Sequence, residues 1–268
     1  MKAFIKRHRL VVFFILAFAL SWYPWVFALL RGQTTGPNPL GPFVAGISVT
    51  AIISGRIGLR QFFGRLGRWR FGTGWYAIIF ATPILLCLCA CLITIGLLPE
   101  AHVPTLPIER LREVPERFIF ILLFIGLGEE PGWRGFALPE LQTKRSPLRA
   151  SFILAPIWAL WHLPLMGNEF SWPIVPAFIV SVFGATLMLT WIFNRTDGSV
   201  LAGMLFHATV NTVGSGLIFP LFPRQALTLL WWVYSFSWLA LGLTAIVFDR
   251  TNSRAGNGLA VAGRVEAG

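Results

Sequence analysis

Six side chains that could transfer protons or stabilise charge occur in three short, regularly spaced groups. They are Glu129, Glu130, Arg134, His162, His207 and Asn211. Glu130 and Arg134 are spaced i, i+4, as are His207 and Asn211, so on a helix each pair projects from one face. A carboxylate can take and return a proton, and imidazole and amide groups can donate hydrogen bonds. The set therefore contains what general acid–base chemistry needs.

The two adjacent carboxylates share a single nearby cation. Because Arg134 cannot neutralise Glu129 and Glu130 equally, we expect one carboxylate to remain partly unpaired. Such a group is suited to act as a general base. The sequence therefore predicts different roles for the two glutamates.

The rest of the chain has the composition of a membrane protein. Of its 268 residues, 56% are hydrophobic and 12% charged, and the mean hydropathy is +0.70, which excludes an ordinary soluble enzyme. Eight apolar stretches lie near residues 10–30, 40–55, 75–98, 118–139, 151–166, 173–193, 199–219 and 226–248. These stretches predict an all-α polytopic protein of about eight transmembrane helices. Residues 1–268 form one membrane-embedded domain in this interpretation, with a catalytic-motif core at 118–211 and a disordered tail at 251–268.

The net charge is +11, and the cations are divided unequally between the two predicted sides of the membrane. With the N-terminus inside, five cations lie in outer loops and Arg134 lies within a span. The inner segments hold sixteen of the 22: Lys2, Lys6, Arg7, Arg9, Arg56, Arg60, Arg65, Arg68, Arg70, Lys144, Arg145, Arg149, Arg195, Arg250, Arg254 and Arg264. The positive-inside rule therefore predicts that both termini are cytoplasmic, in a cytoplasmic membrane. The charge indicates contact with lipid headgroups, and nucleic acid is not expected as a partner.

The three polar groups are predicted to lie at one level in the membrane. At a rise of about 1.5 Å per residue, Glu129, His162 and His207 lie about 15, 16 and 12 Å from the inner ends of their spans. Each group taken alone could be structural, as an ion pair or an interhelical hydrogen bond. Their common depth favours a single buried site.

The three groups resemble the motifs of the CPBP intramembrane proteases, which include the type II CAAX prenyl endopeptidases. Glu129, Glu130 and Arg134 match EExxxR, and His207 with Asn211 matches HxxxN. The segment that ends at His162 resembles FxxxH, with Trp158 in the position of the usual Phe. The resemblance covers about residues 118–211, and the three motifs occur in the expected order.

This resemblance implies hydrolysis of a peptide bond within the membrane. Glu129 would be the general base, holding and activating a water together with His162. His207 and Asn211 would stabilise the oxyanion, and Glu130 and Arg134 would support them. A membrane-associated peptide or protein would be the substrate.

Three questions stay open at the level of sequence. Glu129, His162 and His207 could instead bind Zn²⁺ with water in the fourth position, although the absence of an HExxH motif favours a site without metal or other cofactor. A proton-coupled transporter, or a non-catalytic partner such as a bacteriocin-immunity factor, is the alternative function. The substrate's identity, including any prenyl group, and the oligomeric state are not specified by these residues.

Overall fold

A computed structural model describes residues 1–98 and 105–265, with side chains described up to residue 249. This part of the chain is built from helices, joined by short loops and turns. They are α1 (Lys2–Arg7), α2 (Arg9–Leu29), α3 (Gly41–Leu66), α4 (Thr73–Leu97), α5 (Ile108–Phe120), α6 (Leu127–Glu130), α7 (Leu138–Gln142), α8 (Pro147–Trp161), α9 (Val175–Arg195), α10 (Val200–Asn211) and α11 (Arg224–Val265). The predicted disorder of residues 251–268 falls outside the described side chains and stays a prediction.

Six of the described helical segments are long and apolar enough to span a membrane. They are Arg9–Leu29, Gly41–Leu66, Thr73–Leu97, Val175–Arg195, Val200–Leu221 and Arg224–Asp249. The prediction of an all-α polytopic membrane protein is confirmed. The predicted fourth and fifth spans correspond to shorter pieces, the run from α5 to α7 and the 15-residue helix α8.

Two predicted spans differ from the structure in their boundaries. The second continues to Leu66, with a kink at Gly55, where φ is +58° and the helix changes direction. The fifth begins at Pro147, because the hydroxyl of Ser146 accepts the backbone N–H of Arg149 and caps the helix. It ends at Trp161, so His162 lies at the end of its helix rather than in the middle of a span.

The run from α5 to α7 carries the two glutamates and lies inside the bundle. Two π-helical segments, Ile121–Gly126 and Pro131–Ala137, flank α6. Pro131 has no N–H to donate, which removes one hydrogen bond from the helical ladder directly after Glu130. Insertions of π-helix of this kind are frequent at functional sites. They set the direction in which the two carboxylates project.

Small residues bring this run into direct backbone contact with the start of α3. A Cβ on Gly128 would lie 2.5 Å from the carbonyl oxygen of Pro39, and one on Gly132 would overlap the carbonyl of Pro42. Close approach through glycine is a common way for membrane helices to pack. The glycines around the glutamates therefore fix the depth and rotation of α6.

Gly132→Ala tests this packing. We expect the added methyl group to force α3 and the π-helical segment Pro131–Ala137 apart, at a cost of about 1–3 kcal/mol typical of overpacking. The measurement is the midpoint of thermal unfolding of the purified protein in detergent. Gly96→Ala in α4 is the control, because a Cβ there would meet nothing within 4 Å. Equal midpoints for the two variants would contradict the proposed close packing.

Candidate active site

A buried ion pair joins two of the predicted motifs. Arg134 Nη1 donates to Glu130 Oε1 at 2.9 Å, and His207 Nδ1 lies 2.8 Å from the same oxygen. Glu130 and Arg134 are fully buried, and His207 is 6% exposed. Since an unpaired charge in a membrane interior is costly, this contact links α10 firmly to the helical run that carries the glutamates.

Glu129 has a different partner from its neighbour. The indole Nε1 of Trp158 donates to Glu129 Oε2 at 2.8 Å. The guanidinium of Arg134 lies over the same indole ring, 4.1 Å from its centroid, in a cation–π contact. Trp158 thus separates Glu129 from the Glu130–Arg134 pair while contacting both. The expectation that the two carboxylates would be paired differently agrees with this arrangement.

His162 is oriented by its own helix. Its Nδ1 lies 2.7 Å from the carbonyl oxygen of Trp158. Because a carbonyl oxygen can only accept, Nδ1 carries the proton, and the Nε2 of a neutral ring keeps its lone pair. The imidazole packs edge-on against Trp161 and Phe178, with ring centroids 5.0 and 5.2 Å apart. The ring is therefore held in one orientation, with a free acceptor nitrogen.

The third motif is positioned by a capped helix. The hydroxyl of Ser199 accepts the backbone N–H of Ala202 at 3.0 Å and donates to the carbonyl of Arg68 at 2.6 Å. This cap begins α10 and attaches it to the segment that follows α3. His207 and Asn211 follow two to three turns later, and Asn211 is the last residue of α10.

These side chains converge on a cavity of about 320 Å³. Five polar or indole-bearing residues of the three motifs line it: Glu129, Trp158, His162, His207 and Asn211. Most of the remaining wall is apolar, including Phe170, Phe178, Phe219, Trp231 and Tyr234. An apolar cavity with a few convergent polar groups has the usual character of a substrate site.

The sequence predicted the main polar residues of this cavity but not the contacts between them. All four predicted catalytic residues line it, whereas Glu130 and Arg134 lie behind the wall. Two contacts were not predicted, the hydrogen bond from Trp158 to Glu129 and the approach of His207 to Glu130. The first of these contacts could have been expected from the sequence. Trp158 lies one turn before His162 in an apolar helix, and a buried indole N–H generally has a hydrogen-bond partner.

The alternative of a zinc site has little support from the donor geometry. Within residues 1–98 and 105–265, no three His, Cys, Asp or Glu side chains form a group that could hold a metal ion. Glu129, His162 and His207 do not form a three-ligand zinc site as they stand, so we derive no step through a metal.

The segment that contains all three motifs is similar to a known protein family. Residues 113–213 match the family described as type II CAAX prenyl endopeptidase Rce1-like. The resemblance predicted for residues 118–211 is thereby confirmed.

A curated protein similar to part of this chain is CAAX prenyl protease 2 of Methanococcus maripaludis. It is 30% identical over 102 residues. The aligned region covers 35% of the present chain and 38% of the relative. The similarity therefore concerns little more than a third of either protein, and the activity of the complete protein is a separate question.

Arg134→Gln tests the role of the buried pair. We expect it to lower stability by about 3–5 kcal/mol, the usual cost of leaving one charge of a buried pair without its partner. Arg117→Gln is the matched control, because Arg117 forms an exposed i, i+4 pair with Glu113 at 3.3 Å. An exposed pair of this kind contributes about 0–1 kcal/mol. Thermal unfolding in detergent measures both, and similar losses would show that the Glu130–Arg134 contact does not stabilise the bundle.

Proposed function

We propose that this protein is an intramembrane endopeptidase that hydrolyses a peptide bond of a membrane-associated polypeptide. The observation that carries the proposal is the convergence of Glu129, His162, His207 and Asn211 on one apolar cavity. The match of residues 113–213 to the type II CAAX prenyl endopeptidase Rce1-like family supports the same reaction. The cytoplasmic membrane is the proposed location.

Glu129 and His162 are the proposed water-activating pair. A water between them donates one hydrogen bond to the Glu129 carboxylate and a second to Nε2 of His162. As the water oxygen attacks the carbonyl carbon, its proton passes to Glu129. When the C–N bond breaks, the leaving amine takes this proton, and the carboxylate is restored. The products are a carboxylic acid and an amine, which ionise to a carboxylate and an ammonium group, and no covalent enzyme intermediate is formed.

His207 and Asn211 are the proposed donors to the oxyanion. With both nitrogens protonated, His207 is an imidazolium that is balanced by Glu130 through Nδ1, at 2.8 Å. Its Nε2–H and the Asn211 amide are then available as donors. In that state the charges of Glu129, Glu130, Arg134 and His207 sum to zero, which suits a site enclosed by apolar side chains.

Proton-coupled transport is less consistent with the arrangement. A relay across the membrane requires polar groups spaced along the direction of transport. Here the polar side chains surround one cavity, and the segment directly below it, residues 131–138, is entirely buried. This distribution favours chemistry at a single point over conduction.

Glu129→Gln and His162→Ala test the mechanism. We expect each variant to lose cleavage of a membrane-anchored reporter peptide by at least about 10²–10⁴-fold, the contribution typical of general acid–base groups. The assay uses purified protein in lipid vesicles and detects the new peptide termini by mass spectrometry.

The control for this prediction is Glu140→Gln. Glu140 lies on the same helical run but pairs with the exposed Arg9, away from the cavity. This variant should cleave at the wild-type rate. Full activity of the Glu129→Gln protein would refute the proposed general base.

Trp158→Phe tests whether the indole N–H positions Glu129. The substitution keeps an aromatic ring but removes the donor, so kcat should fall about tenfold to a hundredfold while KM changes little. This loss corresponds to about 1.5–3 kcal/mol, the value of a hydrogen bond to a charged group. Trp238→Phe is the matched control, because Trp238 is equally buried and lies outside the cavity wall. An unchanged kcat in the Trp158→Phe protein would mean that the indole serves only packing.

A further inference from the structure

The mouth of the cavity lies at one end of the helical bundle. Two loops contribute to its wall there, the one before α3, with Gly36 and Pro37, and the one after α8, with Leu165 and Glu169. Both loops connect helix ends on the same side of the bundle, and Glu169 is exposed there. The opposite direction is closed, because residues 131–138 beneath the glutamates are all buried.

Most of the positive charge lies at the other end of the bundle. The turn between α7 and α8 carries Lys144 and Arg145, and α8 runs from this turn to the mouth of the cavity. The segment from the Gly55 kink to α4 also lies at this end and carries Arg56, Arg60, Arg65, Arg68 and Arg70. Of the 19 cations up to residue 249, thirteen lie at this end, five lie at the end with the mouth, and Arg134 lies between them.

We infer that the catalytic cavity opens to the noncytoplasmic side of the membrane. Cation-rich ends of membrane helices face the cytosol, so the mouth faces away from it. This inference rests on the proposed function and specifies its substrate. The substrate class is an exported or membrane-anchored polypeptide whose scissile bond lies in the noncytoplasmic half of the bilayer. A prenylated carboxyl terminus that is exposed to the cytosol would not reach this mouth.

The side chains around the mouth fit an apolar polypeptide segment. Phe120 and Phe124 line the cavity and are 56% and 42% exposed on the outside of the bundle. Phe170 stacks on Phe178 with ring centroids 4.2 Å apart and extends the apolar wall toward Glu129. A hydrophobic stretch that remains in the membrane can therefore contact these rings while its peptide bond reaches the carboxylate.

Cysteine labelling tests the orientation independently of activity. In a background carrying Cys87→Ala, Cys89→Ala and Cys91→Ala, we would introduce Asn168→Cys beside the mouth or Thr143→Cys at the opposite end. Both positions are exposed in loops. A membrane-impermeant maleimide should label the Asn168→Cys protein in intact cells and the Thr143→Cys protein only after permeabilisation. The reverse pattern would overturn the inference.

Cleavage in sealed membrane vesicles tests the substrate class. A peptide with an apolar membrane anchor is added outside right-side-out or inverted vesicles, and vesicles with the Glu129→Gln protein correct for other proteases. We expect Glu129-dependent cleavage in right-side-out vesicles and its loss in inverted ones. Cleavage confined to inverted vesicles would overturn the inference and leave the proposed function intact. Absence of Glu129-dependent cleavage in both would overturn the proposed function and the substrate assignment, while the labelling still decides the orientation.

Discussion

The contact of Glu130 with Arg134 and His207 is the constraint on which the rest of the site depends. Two fully buried groups of opposite charge lie 2.9 Å apart among apolar helices, where removing one would leave the other uncompensated. The pair therefore holds α6 in place and, through His207, also α10. Asn211, one turn beyond His207, is brought to the cavity wall by the same contact.

This pairing also explains how two adjacent carboxylates acquire different environments. Arg134 and His207 both approach Oε1 of Glu130, so the cations near the site are oriented toward that residue. Glu129 receives a neutral indole N–H instead and faces the cavity. The Trp158 indole donates a hydrogen bond to Glu129 from its edge, and the guanidinium of Arg134 lies over its face. A carboxylate held in this way is oriented without being neutralised, which is what a general base requires.

The sequence predicted the membrane architecture and the composition of the site, and the reason lies in the cost of burying charge. Glu129, Glu130 and Arg134 were conspicuous because ionisable residues are rare in apolar spans. The i, i+4 spacing of His207 and Asn211 was equally informative, because helical geometry alone makes them neighbours.

What the sequence could not predict depends on the irregular backbone and on contacts between helices. The equal depths assigned to Glu129, His162 and His207 assumed regular helices with known ends, whereas π-helical segments flank α6 and α8 ends before His162. Whether Arg134 would pair with Glu129 or Glu130 was decided by the rotation of α6, which depends on the close contacts of Gly128 and Gly132. The role of Trp158 required knowledge of which residue faces it across the bundle.

We propose that Glu129 and His162 hold a reactive water without a metal. The most direct test is an experimental density map of the purified protein in lipid nanodiscs supplied with zinc, with anomalous or elemental detection of the metal. We expect a solvent-sized peak within hydrogen-bonding distance of both the Glu129 carboxylate and Nε2 of His162, and no zinc at that position. A zinc ion bound by Glu129, His162 and His207, or dry packing that separates these side chains, would contradict it.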